Sequence, residues 1–300
     1  MYTRGMKSFD TIVLIYNPQS TGGASAMAKK LAAQIKKIGL KPTLTPTKRA
    51  GHAAELAASI TKKYKRPLII SVSGDGGYNE VINGVMEAKC LRPSARPVVA
   101  VAGAGNANDH RRVMRSKSLI KLIERGTPKP LDLIHISAVA HGTKLERYAH
   151  SYIGFGLTPE VGHELNLHGK TTFDEMRLVV KTVTQLQPFT IVRDGKKRRS
   201  YSLVFANISE MAKFIKLDKT NDVRDDKFEA VEIHHRSKLW LLWELLTSVT
   251  MPKKSPPSYS TYSFKTTAAQ PVQLDGEIEH LPANCSVTIT SRADAIESLY

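Results

Sequence analysis

Ile69–Val85 reads IISVSGDGGYNEVINGV, an apolar run that passes into glycines around one aspartate and then into a stretch of helical character. A strand that turns through glycine into a helix is suited to hold phosphate. Glycine lets backbone come close to an anion and take positive φ, and the following helix offers unpaired N–H groups and the positive end of its dipole. Asp75 then needs a reason, because a carboxylate beside phosphates repels them unless it binds Mg²⁺, orients a hydroxyl or takes its proton. The plain alternative is a tight αβ turn with a solvated aspartate.

Two more turns share this design. VVAVAGAGNANDHRR (98–112) ends a strand in glycines, and TIVLIYNPQSTGG (11–23) ends another in Asn17, Pro18, Ser20 and paired glycines. In an open parallel sheet, ligands bind outside the carboxyl ends of the strands, where such turns gather. No Gly-Lys-Ser/Thr follows the glycines and no turn has the G-x-G-x-x-G spacing, so neither a Walker A loop nor an ordinary dinucleotide fold is indicated.

Around these turns the first half alternates apolar runs with helical patterns. Strands are expected near 11–16, 42–46, 68–73 and 98–102, with helices near 23–38, 51–64, 77–88 and 107–125. This βαβα order implies a parallel sheet with helices on both faces. Beyond Pro128, short alternating segments such as LDLIHISAV, RRSYSLVFANI and CSVTITS read as antiparallel β structure, interrupted by helices near 170–187 and 236–250. A chain of 300 residues with 41% hydrophobic content has material for two domains.

In this order, NPQSTGG, TKRAGHAAELA (47–57), SGDGGYNEVINGV, GAGNAND and QLDGEIE (273–279) resemble the catalytic domain of the diacylglycerol kinase and sphingosine kinase superfamily. The resemblance runs from about Thr11 to Thr290. It implies an α/β N-terminal domain of the kind shared with NAD kinases, over 1–128, rejoined by 288–300. A β-sandwich lipid-substrate domain would span 129–287, with the active site in the interdomain cleft.

What the resemblance implies for the chemistry is transfer of the γ-phosphate of ATP, with Mg²⁺, to a hydroxyl of a membrane lipid, most plausibly diacylglycerol. Matching positions one by one assigns nucleotide contacts to Asn17, Ser20, Thr47, Ser73, Gly74, Asp75, Gly76, Gly77, Tyr78, Asn79, Glu80 and Asn106. Asp275 would activate the lipid hydroxyl with Glu277 in support, while Asp75 lies with phosphate and metal; the two aspartates are exchangeable in these roles. A structural Mg²⁺ would be held by the Asp226 carboxylate with carbonyls of Val223 and Phe228, although Lys227 stands where glycine is usual. Both Asp275, as a β-turn aspartate, and the Asp226 loop, as a solvated acidic loop, have simpler structural readings.

Four departures from the family pattern bear on activity. Ser73 replaces the first glycine of GGDGT and Gly77 its threonine; Gly103 replaces a proline and Asn106 the threonine of GTxND. Losing one neutral hydrogen bond costs about 0.5–1.5 kcal/mol, which weakens nucleotide binding without abolishing it. Two alternatives therefore stand beside the lipid kinase: a soluble kinase like NAD kinase, and a catalytically weak nucleotide-binding regulator at a membrane.

The formal charge of +17, from 44 Lys and Arg against 27 Asp and Glu, implies attraction to an anionic partner. No zinc-finger spacing, RNP-like aromatic motif or helix-turn-helix is evident, which argues against nucleic acid and for an anionic membrane surface. KLWLLWELL (238–246) is too short to span a bilayer and reads as either a buried helix or a membrane contact. RDGKKRR (193–199) reads as a solvated hairpin tip or a contributor to membrane attraction. With no signal-peptide h-region in the first ten residues and only Cys90 and Cys285, a cytoplasmic protein, peripheral at the inner membrane surface, is expected. Oligomeric state stays open, a homodimer included.

Overall fold

The computed structural model describes residues 9–20, 22–105, 108–114, 117–159, 181, 185–211, 215–216, 223–235, 237, 240 and 256–300. Asn106, most of the expected helices near 170–187 and 236–250, and all of KLWLLWELL except Trp240 lie outside the described residues. Two compact units form, one from Met1–Leu133 with Ala293–Tyr300, the other from Ile134–Arg292.

The first unit runs β1 (Thr11–Tyr16), α1 (Ala24–Lys37), β2 (Pro42–Pro46), α2 (His52–Lys63), β3 (Pro67–Ser73), α3 (Asp75–Leu91), β4 (Val98–Gly103), α4 (Asp109–Met114) and α5 (Leu119–Arg125), into β5 (Lys129–Ala140). β2, β1, β3 and β4 lie side by side in parallel, in that order. Near-continuous burial of β1, β3 and β4 follows from helices on both faces. Leu14, Ile70 and Ala100 pack with Leu31 and Ile35 of α1 and Leu122 and Ile123 of α5. Each such fully buried aliphatic side chain contributes about 1.5–3 kcal/mol.

Two helix boundaries differ from the sequence expectation. α3 begins at Asp75 rather than near 77, because extended Gly74 (φ −81°, ψ −171°) already acts as its N-cap. The expected helix at 107–125 is two helices; Ser118 starts the second by accepting the Lys121 N–H at 3.4 Å, and a side-chain cap marks a helix start.

The second unit is strand-rich: β6 (Thr143–Ala149), β7 (Tyr152–Gly156), β8 (Phe189–Arg193), β9 (Lys196–Ala206), β10 (Glu210–Met211), β11 (Ile215–Lys216), β12 (Phe228–His234), β13 (Ser258–Tyr259), β14 (Thr261–Thr266), β15 (Gln270–Leu274), β16 (Glu277–Leu281) and β17 (Ser286–Ser298). An antiparallel path runs β16-β15-β7-β9-β8-β14-β17. Phe155, Phe205, Phe228, Tyr262 and Phe264 cluster inside it, mostly edge to face, a favourable arrangement of ring quadrupoles. The β8–β9 and β15–β16 hairpins turn on Asp194-Gly195 and Asp275-Gly276, all four residues at positive φ, as two-residue hairpin turns demand. Cys285 belongs to this core, and burial pushes its thiol pKa up, which marks a packing residue. Among the described residues no helix is long and apolar enough to cross a membrane.

α2 and α3 touch at Gly84, where a Cβ would sit 2.1 Å from the Ala54 carbonyl oxygen. Gly84→Ala must push the helices apart and should lower unfolding free energy by about 1–3 kcal/mol. A urea midpoint equal to that of the parent would contradict this contact.

Candidate active site

Strand register puts the three glycine turns at one sheet edge. Tyr16 is level with Val72, and Ser73 with Gly103, so β1, β3 and β4 end together. Thr47 joins this edge, its N–H donating to the Tyr16 carbonyl at 2.8 Å. The turns meet backbone to backbone. A Cβ on Gly105 would lie 2.5 Å from Gly74 Cα, and one on Gly22 would lie 1.9 Å from the Ala104 carbonyl oxygen. Gly74, Gly76 and Gly77 are not at positive φ, so close approach rather than left-handed backbone is what requires glycine at 74.

Helices α1 and α3 leave this edge from Gly23 and Gly74, and neither N-cap makes a side-chain hydrogen bond. Their first-turn N–H groups have no intrahelical acceptor, and the dipoles add positive potential there. In the first turn, Asn17 Oδ1 accepts from the Gln19 N–H (2.9 Å) and Ser20 Oγ from the Gly22 N–H (3.3 Å), which shapes the backbone before α1.

Asp75 ties two turns together. Its Oδ2 accepts the Asp109 N–H at 3.0 Å and its Oδ1 the His110 N–H at 3.4 Å, so the carboxylate stabilises the start of α4. Asn108 Oδ1 accepts the Gly105 N–H at 3.1 Å, and fully buried Asp109 pairs with Arg112 at 2.9 Å. Glu80 Oε2 accepts the Ala53 N–H at 3.3 Å, at the start of α2. The Tyr78 and Asn79 side chains are buried, Tyr78 OH 3.4 Å from Ser298 Oγ and Asn79 Oδ1 accepting from Asn83 at 2.9 Å. The Tyr78, Asn79 and Glu80 side chains are thus engaged within the first unit.

Two sequence departures prove to be one. A Cβ on Gly77 would stand 2.7 Å from Ser73 Cβ and 2.8 Å from its Oγ. The Ser73 hydroxyl lies 2.7 Å from Ser71 Oγ and donates to the Gly74 carbonyl at 2.9 Å, while Ser71 Oγ donates to the Gly77 carbonyl at 3.2 Å. Serine at 73 therefore excludes a side chain at 77, and a hydroxyl is kept at the turn from the other position.

In the second unit, Asp275 is fully buried. Its Oδ2 accepts the His150 N–H (2.7 Å) and its Oδ1 the Ser151 and Tyr152 N–H groups (2.9 Å each). The His150 ring also reaches it, Nε2 3.3 Å from Oδ2, with Nδ1 2.7 Å from Ser151 Oγ. Glu277 follows as an exposed residue that opens β16. Asp226 is exposed at φ 55° in a turn where Asp225 Oδ1 accepts the Lys227 N–H at 3.0 Å; Val223 and Phe228 are buried beside it. Among the described residues no three His, Cys, Asp or Glu side chains gather into a metal cage. A depression of about 550 Å³ lined by Glu55, Lys62, Lys63 and Glu87 carries none of these residues.

Residues 11–136 match the diacylglycerol kinase catalytic domain. The chain is similar to diacylglycerol kinase of Staphylococcus carnosus, 27% identical over 291 residues and 90% of each chain. The matched domain and these relatives support the diacylglycerol kinase and sphingosine kinase superfamily for this chain. The kinase domain match and the kinase-named relatives support a phosphotransferase with an alcohol acceptor. A 104-residue stretch, 34% of this chain and 14% of the relative, is 32% identical to sphingoid long-chain bases kinase 1 of Arabidopsis thaliana. The fold is that of a diacylglycerol kinase from Bacillus anthracis, with a TM-score of 0.72 at 18% identity over 97% of both chains.

Gly22, Gly105, Ser71 and His150 belong to these arrangements and were not singled out by sequence. Gly22 and Gly105 sit inside the quoted turns, so their signal was present. His150 carries none, since only the hairpin turn brings it to Asp275. Introducing Gly77→Thr alone should lower nucleotide affinity and stability, whereas Ser73→Gly with Gly77→Thr should recover both. Calorimetric titration with ATP and thermal unfolding read the pair; equal loss in single and double variants would contradict the coupling.

Proposed function

We propose that this chain is an ATP-dependent lipid kinase that phosphorylates a hydroxyl of a membrane lipid, diacylglycerol in the first instance. The observation that carries the reading is the meeting of three glycine turns, backbone to backbone, at the ends of adjacent parallel strands. Relatives named diacylglycerol kinase and sphingoid long-chain bases kinase support the acceptor class.

In this reading the triphosphate lies along the N–H groups of the Ser73–Asn79 turn and the start of α1, with Asn17, Ser20, Thr47, Glu80 and Asn106 completing the nucleotide site. Phosphoryl transfer asks a protein chiefly to position its reactants and to neutralise charge. Mg²⁺ would supply charge neutralisation on the phosphates, with Asp75 beside it as the residue to hold it. The acceptor oxygen forms a bond to the γ-phosphorus as the bridging P–O bond to ADP breaks. Its proton passes to the Asp275 carboxylate, with Glu277 in support. The +17 charge would hold the enzyme at an anionic membrane surface where the lipid resides.

A second assignment of the base is favoured by burial, because Asp275 is fully buried whereas Asp75 is partly exposed. There Asp75 takes the proton and Asp275 secures its hairpin. Radiolabelled ATP with mixed-lipid vesicles separates the two when Asp275→Asn and Asp75→Asn are compared. With Asp275 as base, Asp275→Asn keeps its ATP affinity and loses transfer by about 10²–10⁴-fold, while an amide set among three N–H donors lowers its melting temperature under either assignment. Retained transfer in Asp275→Asn with loss in Asp75→Asn selects the second assignment, and label in NADP rather than lipid would overturn the lipid acceptor.

Asp226 with the Val223 and Phe228 carbonyls is the proposed structural Mg²⁺ site. Millimolar Mg²⁺ should raise the melting temperature of the parent and leave that of Asp226→Ala unmoved. An equal rise in both removes Asp226 as a ligand.

A further inference from the structure

One face of the second unit's sheet is cationic and rich in hydroxyls. Opposed residues in an antiparallel ladder share a face. Lys197 lies opposite Val192, Val192 beside Lys265, and Lys265 opposite Ser286, which makes one row across β9, β8, β14 and β17. Arg199 opposite Thr190 is on the same side, as are Ser263 and Thr288, whose hydroxyls are 3.3 Å apart. Lys197, Arg199, Lys265 and Ser286 are exposed. The opposite face carries Ile191, Tyr262 and Phe264 into the core, and two other cations of the β8–β9 hairpin are engaged there: Arg193 stacks 3.7 Å over Tyr262, and Arg198 is 3.8 Å from Glu232. Among the described residues that these pairings place on the outer face, none is acidic; Glu146 is on the same side further along, across β5 and β6, and is taken up by Lys144 at 2.7 Å.

We infer that this outer face, centred on Lys197, Arg199 and Lys265, is the surface by which the protein docks on an anionic lipid bilayer. The inference rests on the lipid-kinase reading and names the part of the chain that meets the membrane. Three exposed cations on one sheet face match anionic phosphate headgroups by charge. Serine and threonine hydroxyls between them donate to phosphate oxygens without an apolar wedge. Among the described residues that these pairings place beside the three cations none is aromatic, the His135 and Tyr148 rings lying further on, past Thr290, which sets single-stranded nucleic acid behind the bilayer as the occupant.

The test is sedimentation with phosphatidylcholine vesicles containing or lacking phosphatidylglycerol. The parent is compared with Lys197→Gln/Arg199→Gln/Lys265→Gln and, as an equal loss of charge from α1, Lys29→Gln/Lys30→Gln/Lys37→Gln. At about 1 kcal/mol for each cation near the surface, the sheet triple should lower partition onto anionic vesicles about 100-fold, and the α1 triple far less. Activity on a short-chain acceptor dispersed in water reports the lipid-kinase reading separately and should be unchanged in the sheet triple. Equal loss in both triples, or none in the sheet triple, overturns the docking face while that activity stands. Parent protein that ignores anionic vesicles yet binds single-stranded DNA through these three residues overturns it in favour of nucleic acid.

Discussion

Contact between glycine backbones at Gly74–Gly105 and Gly22–Ala104 is the constraint on which the candidate site depends. Side chains between these turns would hold them several ångströms apart and fill the space an anion needs. With hydrogen in place of Cβ, the ends of β1, β3 and β4 draw together, and the N-termini of α1 and α3 open on one edge without side-chain caps. The positive potential is built from peptide dipoles and N–H groups, which cost no reorganisation when phosphate arrives.

Negative charge is managed around this edge in a consistent way. Asp75 and Glu80 both follow strand β3, yet each accepts backbone N–H groups at the start of another helix, α4 and α2. A carboxylate occupied in that way steadies neighbouring turns and lowers its repulsion of an anion. Asp275 follows the same logic in the second unit, where three N–H groups and the His150 ring surround it. The Ser73 and Gly77 departures, which on paper weaken the turn, combine into a single rearrangement that keeps a hydroxyl beside it.

Much of the first unit was legible in the sequence. Strands buried on both faces leave unbroken apolar runs such as VVAVA at 98–102, and the helices between them carry their own pattern. Helix starts were less legible, because Gly76 and Gly77 read as loop but lie in the first turn of α3, where Gly74 supplies the cap. Roles that depend on distant partners had no local signal. Nothing in the neighbourhood of Glu80 announces Ala53, and nothing near His150 announces Asp275, 125 residues away by its backbone bond. The cationic sheet face was likewise hidden: Lys197 and Arg199 were visible in RDGKKRR, but Lys265 joins them only through strand pairing.

The central claim is that backbone at the three turns takes the triphosphate. Protein labelled with ¹⁵N-glycine, titrated with ATP and Mg²⁺ and followed by amide chemical shifts, addresses it directly. The account predicts saturable shifts at Gly22, Gly23, Gly74, Gly76, Gly77 and Gly105, with Gly142 and Gly195 in the hairpin turns unmoved. Saturable binding that leaves those six amides in place would contradict it.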